Sequence, residues 1–134
     1  MATPEQIRAA LSSQIATAIT DLHCYPSPPG TIVVPAAVIR RRDITYDVTM
    51  DGVDDSTYGV NVFVAFGNSE VAVIGLDAYL APSGASSVVQ AIHADPTLGG
   101  LVDFARVASA EGERVTNYAG IDYLSAELVV EIGD

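Results

Sequence analysis

The sequence predicts an α+β domain: an antiparallel-rich sheet with an N-terminal helix and a central helix pair packed on one face. Three observations carry that expectation. An apolar stripe of Ile7, Leu11, Ile15, Ile19 and Leu22 recurs at helical spacing near the start. Apolar and polar residues alternate with period two in three later stretches, 44–50, 57–66 and 121–132. Between them lies LDAYLAPSGASSVVQAIHADPTLGG, residues 76–100, where prolines and glycines interrupt otherwise helical sequence. Blocks of strand and helix without βαβ regularity place helices on one side of an antiparallel sheet.

The chain has 134 residues, the size of one domain with one core, and 49% of them are apolar. It carries 17 acidic and six basic residues, all six of them arginine, for a formal charge of -11. A basic face is what grips nucleic acid electrostatically, so this balance argues against a nucleic-acid binder. The single cysteine, Cys24, forms no disulfide within the chain and fits a reducing compartment. No apolar run reaches the roughly 20 residues that span a bilayer, and the N-terminus has no signal-like segment, so the expectation is a soluble, unexported protein without a membrane partner.

Taken in order, Thr3-Pro4-Glu5-Gln6 is a capping-box pattern with proline at the first helical position, and it opens a helix over residues 4–22. The connector HCYPSPPG follows at 23–30, its prolines incompatible with helix or central strand. His23 and Cys24 have no second cysteine nearby, and His93 lies on a different element, so the pair is read as packing at the end of the first helix rather than as a metal or nucleophile site. Residues 31–39 read as an edge strand or two short strands interrupted by Pro35. Arg40, Arg41 and Arg42 hold half of the basic residues in three positions. They are either a solvated strand end pairing with Asp43 or Asp47, or an acceptor for an acidic surface on a neighbouring subunit.

Alternation through Ile44, Tyr46, Val48 and Met50, and again through Tyr58, Val60, Val62, Val64 and Phe66, predicts an antiparallel hairpin. Its turn, residues 51–55, is rich in aspartate but lacks calcium-loop spacing. A helix capped by Asn68-Ser69-Glu70 and running to Leu80 is apolar nearly all round, with Glu70 and Asp77 its charges. A helix of that kind needs cover on more than one side, and a second copy of the protein is the simplest cover; Val73, Leu76 and Leu80 are the candidate interface residues. A short helix at 86–94 carries His93 near its C-terminal end as a favourable dipole partner.

After Gly99-Gly100, residues 101–108 read as a strand, Glu111-Gly112-Glu113 as a turn, 115–118 as a short extended piece, and 121–132 as a long final strand. Residues 109–120 form either that hairpin or one projecting loop. Along the last strand Leu124, Ala126, Leu128, Val130 and Ile132 face one way, and Tyr123, Ser125, Glu127 and Glu131 the other. Glycine-rich phosphate loops, G-x-S-x-G and H-E-x-x-H are absent, and no cofactor is implied.

The element order, together with the 76–100 segment, the hairpin ITYDVTMDG…YGVNVFVAF and the closing GIDYLSAELVVEI, resembles tail-terminator proteins of long-tailed bacteriophages, especially those of GC-rich actinobacterial hosts. The resemblance covers nearly the whole chain, 1–134. Leu76-Asp77-Ala78-Tyr79-Leu80, Ser83-Gly84, Ser87-Val88 and Asp95-Pro96-Thr97-Leu98-Gly99-Gly100 are distinctive together. It implies a homohexameric ring, assembled in the host cytoplasm, at the head-proximal end of the virion tail tube. The ring would stop tube growth and provide the joint to the head. The implied partners are further copies of the chain, the major tail tube protein and a head-tail connector or stopper protein, with DNA passing through unbound. The family has no catalytic residues to carry over. An acidic lumen suits DNA transit, and Asp51, Asp54, Asp55, Glu111 and Glu113, placed in expected loops, are its candidates. A head-completion or adaptor protein is the alternative within the virion; a small enzyme or ligand-binding domain is the alternative outside it.

Overall fold

The structure is a computed structural model that describes residues 3–27, 29–45, 55–65 and 69–133. Helix α1, Pro4–Ala18, starts where the sequence places it: the Thr3 hydroxyl accepts from the Gln6 N–H at 3.2 Å, and the Gln6 side chain accepts from the Thr3 N–H at 2.9 Å. It ends four residues earlier than expected, because Ile19 adopts extended backbone angles. Ile19 and Leu22 remain buried all the same, since the turn that follows folds them back on the core.

The connector is not wholly irregular. His23–Tyr25 forms strand β1, parallel to the start of β2, Ala36–Thr45. The prolines act only from Pro26 onward, which leaves three residues free to pair. Strand β2 begins just after Pro35, so the missing N–H falls outside the ladder. The two strands expected at 31–39 and 44–50 are thus replaced, as far as Thr45, by one strand lying inside the sheet rather than at its edge. Strand β3, Asp55–Ala65, pairs antiparallel with β2 from Ala36↔Phe63 to Thr45↔Asp55. The expected turn tip and Tyr46, Val48, Met50 and Phe66 lie outside the described residues.

Helix α2 spans Ser69–Leu80 and α3 spans Val88–His93. Ser87 caps α3: its hydroxyl accepts from the Gln90 N–H at 3.0 Å and donates to the Ala81 carbonyl. Asp95 then organises the next turn, accepting from the Thr97 hydroxyl at 2.9 Å and the Gly99 N–H at 2.8 Å. Leu98, Gly99 and Gly100 follow with φ of 51°, 74° and 88°, so these glycines serve as structural punctuation.

Strands β4, Phe104–Tyr118, and β5, Ile121–Gly133, form one long hairpin joined at Ala119-Gly120. Both turn residues have positive φ, 53° and 87°, as a two-residue hairpin turn requires. The turn expected at Glu111-Gly112-Glu113 is instead a register shift within β4 between Glu111 and Arg114. An irregularity of one or two residues satisfies the glycine there without reversing the chain. The projecting-loop alternative for 109–120 falls with it.

Among the described residues the sheet has five strands in the order β1-β2-β3-β5-β4, all antiparallel except β1 against β2. The three helices pack on one face, enclosing Leu11, Ile15, Ile39, Val60, Leu76 and Leu128. This is the α+β arrangement the sequence predicts. The opposite face carries a smaller core of Ile32, Ala36, Val38, Phe63 and Tyr123, with Tyr25, Val34 and Tyr118 packed on it. The proline-rich connector belongs to this second core: the Tyr118 hydroxyl donates to the Pro29 carbonyl, and Phe63 meets Tyr118 and Tyr123 edge to face.

Candidate functional site

Three surfaces bear on what this domain can do: the outward side of α2, a groove elsewhere in the helical layer, and a charged cluster on the opposite face of the sheet. On α2, Leu76 is fully enclosed by the chain's own core, Tyr79 is buried and Leu80 is half-buried against the same core. Leu76 therefore drops out of the exposed apolar face. Val73 stays 36% exposed, and Ile74, which the sequence reading did not single out, is 63% exposed. The signal for Ile74 was present: Asp77 follows it by three residues and Val73 by four, which puts all three on one side of a helix.

The groove lies between α1 and the 91–99 segment. It is open, about 480 Å³ in volume, and lined mainly by small residues, among them Ala10, Ser13, Thr17, Ala18, Ala91 and Ala94. Gln14 forms part of its wall and holds it in shape. Its amide donates to the carbonyls of Ala91 and Ile92 at 2.9 Å and of Asp95 at 3.2 Å, satisfying the end of α3 from a different helix. Asp95, at the rim, has its carboxyl held below the usual range, first by the Thr97 hydroxyl and then by the Gly99 N–H.

The charged cluster is centred on Glu127 of β5, only 5% exposed. Arg40 of β2 donates to its Oε2 from Nε at 2.9 Å and lies 2.9 Å away through Nη2 as well, while Arg42 Nη1 is 3.6 Å from Oε1. Arg42 also reaches Glu111 Oε2 of β4 at 3.5 Å. Strands β3 and β5 separate β2 from β4, roughly 14 Å of flat sheet at three strand spacings. The long Arg42 and Glu111 side chains together bridge that span across the face of the sheet. Gly59 of β3 makes the crossing possible, since a Cβ there would stand 2.2 Å from Glu127 Oε2.

Arg40 and Arg42 thus have partners inside the chain in Glu127 and Glu111; the side chain of Asp43 and the whole of Asp47 lie outside the described residues. Alternation places Glu127 on the polar side of β5 but does not reveal its burial, which depends on a glycine of the neighbouring strand β3, distant in sequence. Of the lumen candidates, Glu111 and Glu113 stand on strand β4, not in a loop; Glu111 is engaged with Arg42, and Glu113 is exposed. Asp51 and Asp54 lie outside the described residues, as do the side chains of Arg41 and Asp55.

The chemistry available elsewhere is limited. Burial pushes the Cys24 thiol up to about 11, the opposite of what activates a nucleophile. His93 Nε2 accepts from the Val107 N–H at 3.0 Å and so ties α3 to β4, a role more specific than the dipole partner expected of it. Among the described residues no group of three or more His, Cys, Asp or Glu is placed to hold a metal ion, and no helix is long and apolar enough to cross a membrane. In comparison with known proteins, the sequence matches no family model and no curated protein.

Proposed function

We propose that this chain is a tail terminator of a long-tailed bacteriophage, a ring-forming structural protein that ends the tail tube and joins it to the head. The observation that carries the reading is the outward face of α2, where Val73 and Ile74 remain exposed while Leu76 and Tyr79 of the same helix are buried in the core. An apolar ridge held rigidly on a packed helix is a surface for protein contact. The acidic balance of -11 suits a channel through which DNA slides without adhering. Among the described lumen candidates Glu111 and Glu113 are both exposed on β4, and Glu111 also reaches Arg42. The partners are other copies, the tube protein and a connector or stopper protein, and the ring forms in the host cytoplasm before entering the virion.

Negative-stain imaging of the protein mixed with its phage's tail tubes tests this. Rings capping one end of tubes whose length is arrested support the terminator. Stable attachment to DNA-filled heads lacking tails replaces it with a head-completion adaptor, and attachment to neither ends both.

A further inference from the structure

We infer that the groove between α1 and the 91–99 segment is a binding site for a short aliphatic ammonium ion, its cationic head beside Asp95 and its apolar stem along the alanines. The inference goes beyond the tail-terminator reading and does not depend on it. A volume of about 480 Å³ falls within the roughly 300–1,000 Å³ of small-molecule sites. Ala10, Ala18, Ala91 and Ala94 supply an apolar lining without bulk, which suits an unbranched hydrocarbon stem.

The head group follows from which hydrogen-bonding groups in the lining are still free. The Gln14 amide N–H groups go to the carbonyls of Ala91, Ile92 and Asp95, the Thr17 hydroxyl to the Ser13 carbonyl at 2.8 Å, and the Gly99 N–H to Asp95 Oδ2 at 2.8 Å. These donors are thus committed inside the chain, and what the same residues leave over are acceptors. Among the described residues Gln14 Oε1 receives no hydrogen bond, and Asp95 Oδ2 receives one where a carboxylate oxygen takes about two. Asp95 adds charge, because the Thr97 hydroxyl and the Gly99 N–H hold its carboxyl below the usual range and keep it ionised at neutral pH. Spare acceptors beside a carboxylate repel an anion and give an alcohol one bond to make. They match an ammonium group, which has only donors and a positive charge. The formal charge of -11 further attracts small cations from a distance. All six basic residues are arginine, so no lysine of another copy can supply the head group.

Proton–nitrogen correlation NMR of the full chain, titrated separately with pentylammonium chloride, pentanol and sodium pentanoate, reads this directly. Pentylammonium is expected to give saturable shifts confined to amides around the groove, among them Thr17, Ala94 and Gly99, with Kd on the order of 1 mM for so small a ligand. Pentanol binds about tenfold more weakly, and pentanoate gives no shift. Asp95→Asn keeps an oxygen for the Thr97 hydroxyl but removes the charge, so it weakens pentylammonium by about tenfold and leaves pentanol as before. Ala94→Leu fills the groove and abolishes binding with Asp95 unchanged; the spectrum of each variant without ligand shows that it is folded. Equal binding of all three probes, shifts spread over the whole acidic surface, or wild-type affinity in either variant overturns the inference. The tripeptide acetyl-Ala-Lys-Ala-amide binding more than about tenfold tighter than pentylammonium would give the groove to a lysine of a partner protein, and the free ion would be overturned as occupant. A chain that caps tubes but binds no amine loses this inference alone, and one that binds amine but caps no tube loses only the terminator reading.

Discussion

Glu127 lies directly over Gly59, so closely that a β-carbon on the glycine would come within 2.2 Å of a carboxylate oxygen. The carboxylate crosses β3 at that point to reach Arg40 on β2. One missing side chain thus allows an ion pair to span three strands, β2, β3 and β5, across one face of the sheet.

Gly59→Ala is expected to destabilise the fold by about 1–3 kcal/mol, the range for overpacking a well-filled site. Its cost should shrink when Glu127 is also Ala, because the clash and the ion pair involve the same carboxylate. Urea denaturation of the wild type, both single variants and the double variant measures the coupling. Equal cost in both backgrounds would separate Gly59 from Glu127.

Ala119 holds φ of 53° in the β4–β5 turn, a conformation that costs an alanine more than it costs asparagine or glycine. Ala119→Asn should raise stability by about 0.5–1 kcal/mol. A lower midpoint of thermal unfolding in this variant would count against the observed turn.

Cys24 should react slowly with a thiol reagent in the native state and at full rate once unfolded. Burial raises the folded thiol from an ordinary 9.0 to about 11, so between these values the native state holds a proton that the unfolded chain has released. Its contribution to stability is complete below about 9 and is lost as pH climbs to about 11. Tyr79 acts in the same direction, raised first by burial and then by the neighbouring Asp21 carboxylate. Denaturation midpoints between pH 8 and pH 11 should therefore fall, and Cys24→Ala should flatten that fall without abolishing it. An unchanged alkaline limb in the alanine variant would rule out the thiol as a contributor.

The elements that were legible in the sequence are those whose physics is local. The capping box at Thr3, the stripe through Leu11 and Ile15, the alternation through Tyr58 to Val64, and the Asp95-Pro96 stop depend on residues a few positions apart, and the structure has each of them. The reading failed where partners are distant in sequence or where short-range signals compete. Strand β1 exists because residues 36–38 offer it an edge, and Glu111-Gly112-Glu113 reads as a turn until the neighbouring strand extends past it.

Sequence alone therefore determined the fold class, the acidic character and the apolar helix that demands cover, because composition and periodicity are carried by each segment by itself. Only the tertiary structure decided which side of that helix remains bare, turning Leu76 inward and Ile74 outward. It also decided that two of the three clustered arginines answer to Glu127 and Glu111. Both outcomes depend on which elements meet, and that is set by the packing of the whole chain rather than by any one stretch.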